Sequence, residues 1–148
     1  MPDAKNIYSY WQPYLKEWNV KMTEQEFLDY WFKAEKEDKA ATALVRELRQ
    51  SGAKLFVLSN NFKERAAYYK KQFPFLNELF EKIYYSWQTG YIKPDERAYK
   101  LILEENNLTP EECIFFDNSK KNIEVASGLG IESYLYVNIS QIKRVHIA

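Results

Sequence analysis

Three short apolar runs each end in polar residues whose chemistry suits phosphate or metal. Lys54-Leu55-Phe56-Val57-Leu58 leads into Ser59-Asn60-Asn61, Gly90-Tyr91-Ile92 into Lys93-Pro94-Asp95, and Cys113-Ile114-Phe115-Phe116 into Asp117-Asn118-Ser119. A hydroxyl can donate to a phosphate oxygen. An ammonium neutralises a phosphoryl group and stabilises charge that develops in a transition state. A carboxylate beside a carboxamide offers hard oxygen ligands of the kind Mg2+ takes. In an open parallel sheet, ligands bind in the crevice outside the carboxyl ends of the strands. The candidate phosphate binders are therefore Ser59, Asn60 and Lys93, with Lys93 also the candidate catalytic residue, and Asp117 and Asn118 are the candidate metal ligands.

Each motif also has a plainer reading. Ser-Asn-Asn after a strand is common turn chemistry, an isolated lysine is ordinarily solvated, and Asp117 could simply cap the following helix. Lys93-Pro94 is the more specific signal, because proline disfavours helix at the preceding residue and fixes the direction in which the lysine leaves. Asn122 lies one helical turn beyond Asp117.

The elements that must carry these groups fall into two regions. From Ile7 to Gly52 the periodicity is helical. Thr23-Glu24-Gln25-Glu26 reads as a capping box, with Phe27, Tyr30, Trp31 and Ala34 following as one stripe. A second helix is expected over about Lys39 to Gln50, stopped by Ser51-Gly52. After Gly52, strands and helices alternate. Strands are expected at Lys54–Leu58, Ile83–Tyr85, Cys113–Phe116 and Ser133–Val137. Helices are expected near Lys63–Phe73, from Asp95 to about Glu105, and near Lys120–Ser127, with a helical turn at Thr109-Pro110-Glu111-Glu112. Nearly all-apolar strands separated by helices predict an α/β fold with a parallel sheet covered on both faces. The expected division is 1–52, helical, and 53–148, α/β.

The chain has 148 residues, enough for one domain with a real core. Lys plus Arg and Asp plus Glu are 21 each, so no global charge points to nucleic acid. A single cysteine excludes an internal disulfide and a multi-cysteine metal site. No apolar run approaches the ~18 residues of a membrane span. The expectation is a cytoplasmic protein that binds neither nucleic acid nor membrane.

Together the motifs resemble the haloacid dehalogenase-like (HAD) hydrolases of the subfamily with an early helical cap. Leu55–Asn60 is similar to motif II, Gly90–Asp95 to motif III, and Phe115–Ile131 to motif IV with its trailing helix. Receiver-type domains also use Asp, Ser/Thr and Lys-Pro, but there the acidic cluster comes first and Lys-Pro last. The resemblance implies a Rossmann-like parallel sheet, an N-terminal helical cap, and Mg2+-dependent phosphatase chemistry on a small phosphorylated molecule. In the family an aspartate on the first strand attacks phosphorus, and a second aspartate two residues on is the general acid and base. The motif II serine and motif III lysine grip the phosphoryl group, and the motif IV acid helps hold Mg2+. Ser59, Lys93 and Asp117 match the last three roles. Asn118 stands where many members carry a second acid, so a weaker metal site is expected.

The nucleophile strand has no counterpart. Only Asp3 precedes the helical region, it follows Met1-Pro2, and it is not expected to be a nucleophile. The family strand lies between those corresponding to Lys54–Leu58 and Cys113–Phe116, and its loss leaves two strand edges unpaired, which is costly when buried. The sequence therefore reads as a truncated or split member, a strand-exchanged homo-oligomer, or a variant whose N-terminal segment fills the slot. In the last case Asn6–Trp11 is the nearest candidate, from the β-propensity of Ile7, Tyr8, Tyr10 and Trp11. The chain as given is expected to be inactive. The alternative is a non-catalytic phosphate-binding or interaction module.

Overall fold

A computed structural model describes residues 6–145; Asp3 lies outside them. The first three elements are helices. Asn6 caps α1 (Ile7–Glu17), accepting from the Ser9 N–H, so the candidate slot strand at Asn6–Trp11 is helical instead. Cap chemistry and a helical apolar stripe override the β-propensity of its aromatics: Ile7 and Leu15 bury against Phe27 of α2 (Glu24–Phe32), joined by Phe62. The Thr23–Glu26 capping box is formed. Asp38 caps α3 (Lys39–Gln50) through the N–H groups of Ala40 and Ala41. Just beyond the helix, Gly52 takes a left-handed φ of +95°.

The alternating region follows as β1 (Phe56–Ser59), α4 (Lys63–Gln72), α5 (Phe75–Leu79), β2 (Lys82–Tyr85) and the single turn α6 (Ser86–Thr89). Then come α7 (Glu96–Asn106), a 3-10 turn at Pro110–Glu112, β3 (Ile114–Asp117), α8 (Lys120–Gly128), β4 (Glu132–Leu135) and α9 (Ile139–Arg144). The expected strands are present, each shifted by one or two residues. The short helices α5, α6 and α9 were not foreseen.

Pairing is parallel throughout. β1 pairs with β2 in the register Phe56–Lys82 to Ser59–Tyr85, and β3 with β4 in the register Ile114–Glu132 to Asp117–Leu135. Among the described residues these are two separate two-stranded sheets, with no backbone ladder joining β1 to β3. The unpaired edges have a visible effect on burial. All four residues of β1 are only half-buried, and in β3 only Asp117 is buried.

Apolar packing spans the break. Ala98 and Tyr99 of α7, Ala126 of α8 and Ile131 form a buried cluster, against which Leu58 of β1 and Phe115 of β3 both pack. Tyr99 meets Phe115 edge-on, with centroids 5.4 Å apart. The two sheets thus share one helical cover, which holds the ends of β1 and β3 near each other. Among the described residues, no helix is long and apolar enough to cross a membrane.

Candidate functional site

Lys93 lies on the turn between α6 and α7, not at a strand end. The Gly90-Tyr91-Ile92 run cannot extend as a strand because α6 follows β2 directly. Gly90 closes α6 at φ +75°, and the Thr89 hydroxyl takes the Tyr91 N–H. The lysine reaches the sheet by its side chain. Lys93 Nζ donates to the Leu58 carbonyl of β1 at 2.7 Å and to Asp117 Oδ2 of β3 at 2.6 Å. Only 11% of the lysine side chain and 7% of the aspartate side chain are exposed, so the pair is shielded from solvent. One ammonium thus spans the break between the sheets.

Asp117 is held from three sides. Its Oδ1 accepts the Ser119 N–H at 2.8 Å and Asn122 Nδ2 at 3.0 Å, while Oδ2 takes the ammonium. Burial pushes its carboxyl up, but the bonds from Lys93, Ser119 and Asn122 outweigh burial and leave it below its ordinary value. Behind it, the Tyr99 hydroxyl donates to the Asn122 carbonyl. Burial, then the Asp117 charge, pushes Tyr99 up to about 12.

Ser59 ends β1 opposite Tyr85 and is half-buried. Four residues later the chain enters α4, whose N-cap residue, Phe62, gives no side-chain cap. First-turn N–H groups of that ten-residue helix are therefore available to an anion beside Ser59. Asn60 is used differently from expectation: its carboxamide takes the Lys93 N–H at 2.8 Å and donates to the Lys93 carbonyl at 2.9 Å. Asn118 is exposed in the loop after β3.

The chemistry of these donors bears directly on Mg2+. Asp117 and Asn118 are hard oxygen ligands of the right kind, but both Asp117 oxygens already accept hydrogen bonds. Among the described residues there is no group of three or more His, Cys, Asp or Glu side chains suited to a metal. Such a donor set fits Mg2+ only when phosphate oxygens and water complete its octahedron.

Sequence reading named Lys93 and Asp117, which meet, and Ser59, which follows the Leu58 carbonyl that Lys93 engages, and it noticed Asn122. It missed the Leu58 carbonyl, and Ser86, whose Oγ holds the Asn61 N–H and carbonyl; neither carries a local signal because its role exists only once the loops meet.

The family model described as haloacid dehalogenase-like hydrolase matches residues 15–130. Phosphatase MT3486 of Mycobacterium tuberculosis is 35% identical over 108 residues, covering 73% of this chain and 49% of that protein. The chain spans half or less of the curated relatives it matches. A HAD family enzyme from Bacteroides thetaiotaomicron, crystallised with magnesium and inorganic phosphate, superposes with a TM-score of 0.78 at 23% identity, covering 92% of this chain and 74% of that one. A HAD-like family hydrolase from Porphyromonas gingivalis gives 0.79 at 24% identity, covering 97% and 75%. These two likenesses show the fold.

Proposed function

Given that the chain belongs to the haloacid dehalogenase-like hydrolases, we propose that its site binds the phosphoryl group of a small phosphorylated molecule and, unaided, does not turn it over. The observation that carries this reading is the ammonium of Lys93, fixed on the Leu58 carbonyl at the end of β1, one residue before Ser59, with the uncapped α4 starting at Lys63. A dianion entering there meets the one ammonium N–H that Leu58 and Asp117 leave free, one hydroxyl donor and the N–H groups of α4, with the Asp117 carboxylate balancing the lysine's charge. The magnesium and phosphate bound to the Bacteroides enzyme make a phosphate ligand the natural first probe.

Turnover in the family needs a carboxylate free to attack phosphorus. Asp117 is not free: it accepts three hydrogen bonds, one of them from Lys93. Among the described residues, the site offers no other carboxylate in contact with Lys93. Ser59 and Lys93 would therefore hold and orient the phosphoryl group without forming a covalent intermediate. When phosphate is present, Asp117 and Asn118 would offer oxygen ligands to Mg2+, which would screen the anion's charge.

The test is a titration of the full chain with inorganic phosphate, followed by calorimetry, beside an aryl phosphate assay in Mg2+. Saturable binding is expected, tenfold or more weaker in Lys93→Ala and weakened in Ser59→Ala, with no turnover. Absence of binding would overturn the phosphate site. Robust Mg2+-dependent turnover, lost in Asp117→Ala, would overturn the non-catalytic reading.

A further inference from the structure

The last backbone pair of the β1–β2 ladder is Ser59–Tyr85. Beyond it, side chains take over the role of the ladder. Ser86 Oγ accepts the Asn61 N–H at 2.9 Å and donates to the Asn61 carbonyl at 3.1 Å. The Asn60 carboxamide does the same for Lys93, one bond to its N–H and one to its carbonyl. Asn61 is itself only 6% exposed, and its side chain accepts the Phe62 N–H that leads into α4.

We propose that Asn60 and Ser86 are positioning residues that set where the Lys93 ammonium stands relative to Ser59. The Lys93 turn has no strand to fix it, and Asn60 supplies the two bonds that a strand neighbour would have made. The lysine is then tied at both ends to one short segment, its backbone to Asn60 and its ammonium to the carbonyl of Leu58, two residues earlier. A lysine side chain free in solution samples many rotamers; one held at both ends is ordered before an anion arrives, which is how preorganisation strengthens binding. Ser86 secures the same segment from the β2 side, so the hydroxyl, the ammonium and the start of α4 keep a common frame. Asn60 acts through Lys93, to which its amide gives one N–H and one lone pair; the N–H that remains is what the test below distinguishes.

This inference rests on the phosphate site proposed above, and its test separates the two. The ammonium signal of Lys93 and the affinity for inorganic phosphate are followed by NMR in the full chain, with folding checked by circular dichroism. Asn60→Ala is expected to move the Lys93 signal toward that of a free lysine and to weaken phosphate about tenfold, with the fold retained. Asn60→Asp keeps the acceptor for the Lys93 N–H but loses the donor, and should shift the signal part of the way. It replaces the alanine variant if that variant does not fold. Ser86→Ala is expected to weaken phosphate about threefold, and Ser86→Thr, which keeps the hydroxyl, to restore it. An unmoved Lys93 signal in Asn60→Ala overturns the proposal, whether phosphate binding is retained or lost; loss with an unmoved signal would make Asn60 a direct ligand. If wild-type protein fails to bind phosphate while the Lys93 signal still moves in the variant, the clamp stands and the phosphate site falls.

Discussion

Replacing Lys93 with methionine removes a charge while keeping a side chain of similar length, and the surroundings set how much that should cost. The pair is shielded, with side-chain exposures of 11% and 7%, so it belongs with buried ion pairs. For those, deleting one partner costs about 3–5 kcal/mol because the other charge stays behind in a poorly solvating place. Here Asp117 keeps its bonds from Ser119 and Asn122, which puts the expected cost near the low end, about 3 kcal/mol. For a chain of this size each kcal/mol moves the midpoint by roughly 2–4 °C, giving a fall of about 6–12 °C. Asp117→Asn should be destabilising as well, since the ammonium keeps only the Leu58 carbonyl. The double variant leaves neither charge, so the two penalties should not add. Thermal and urea denaturation of all four proteins gives the coupling as a double-mutant cycle. Coupling of about 2 kcal/mol or more is expected. A value under about 0.5 kcal/mol, as for exposed pairs, would refute the claim that the ammonium ties the two sheets.

The depressed carboxyl of Asp117 ties stability to acid. Its contribution is complete above the ordinary aspartate value near pH 4, where folded and unfolded chains both carry the charge. It is lost as pH falls toward the lower folded value, because the unfolded chain takes up the proton first. The stability curve of wild type should therefore drop more steeply below about pH 4 than that of Asp117→Asn; parallel curves would contradict this. Tyr99, pushed up to about 12 by burial and then by Asp117, should keep the ring-carbon NMR signals of a neutral phenol through about pH 11, where an ordinary tyrosine has ionised. Mg2+ and phosphate should strengthen each other's binding by the same factor, an effect expected to vanish in Asp117→Asn; tight Mg2+ binding without phosphate would show that the donor set is richer than described.

How much of this was legible in the sequence depended on whether the signal was local. The Thr23–Glu26 box, the Asp95 cap and the apolar strands each depend on neighbours a few residues away, and all of them stand in the structure. Lys93 was legible as a site residue but not as a loop residue, since an apolar Tyr-Ile pair reads as strand until α6 and Gly90 claim the space. The fate of Asn60 was invisible, because the partner that engages both ends of its amide lies 33 positions away. At α9 a readable signal was passed over: Asn138 and Gln141 form a capping box, but six residues are too few for helical periodicity to show. Residues 7–11 follow the helical periodicity read from Ile7 onward, with the Asn6 cap at its start, and the strand considered there only as a filler of the slot does not form.

The break between the sheets has a consequence for how the molecule opens. Each two-stranded ladder closes its own hydrogen bonds, so each can lose them without the other. Beside β3, a groove of about 420 Å³, lined by Leu44, Val45 and Leu48 of α3 with Phe116, Tyr136 and Ile139, leaves apolar surface facing space. Amide exchange should then proceed through two subglobal openings with different protection, the Phe56–Ser59 and Lys82–Tyr85 amides rising together and the Ile114–Asp117 and Glu132–Leu135 amides together. Lys93 is the polar staple between these units, so an anion that draws on its ammonium would change how tightly their openings are coupled.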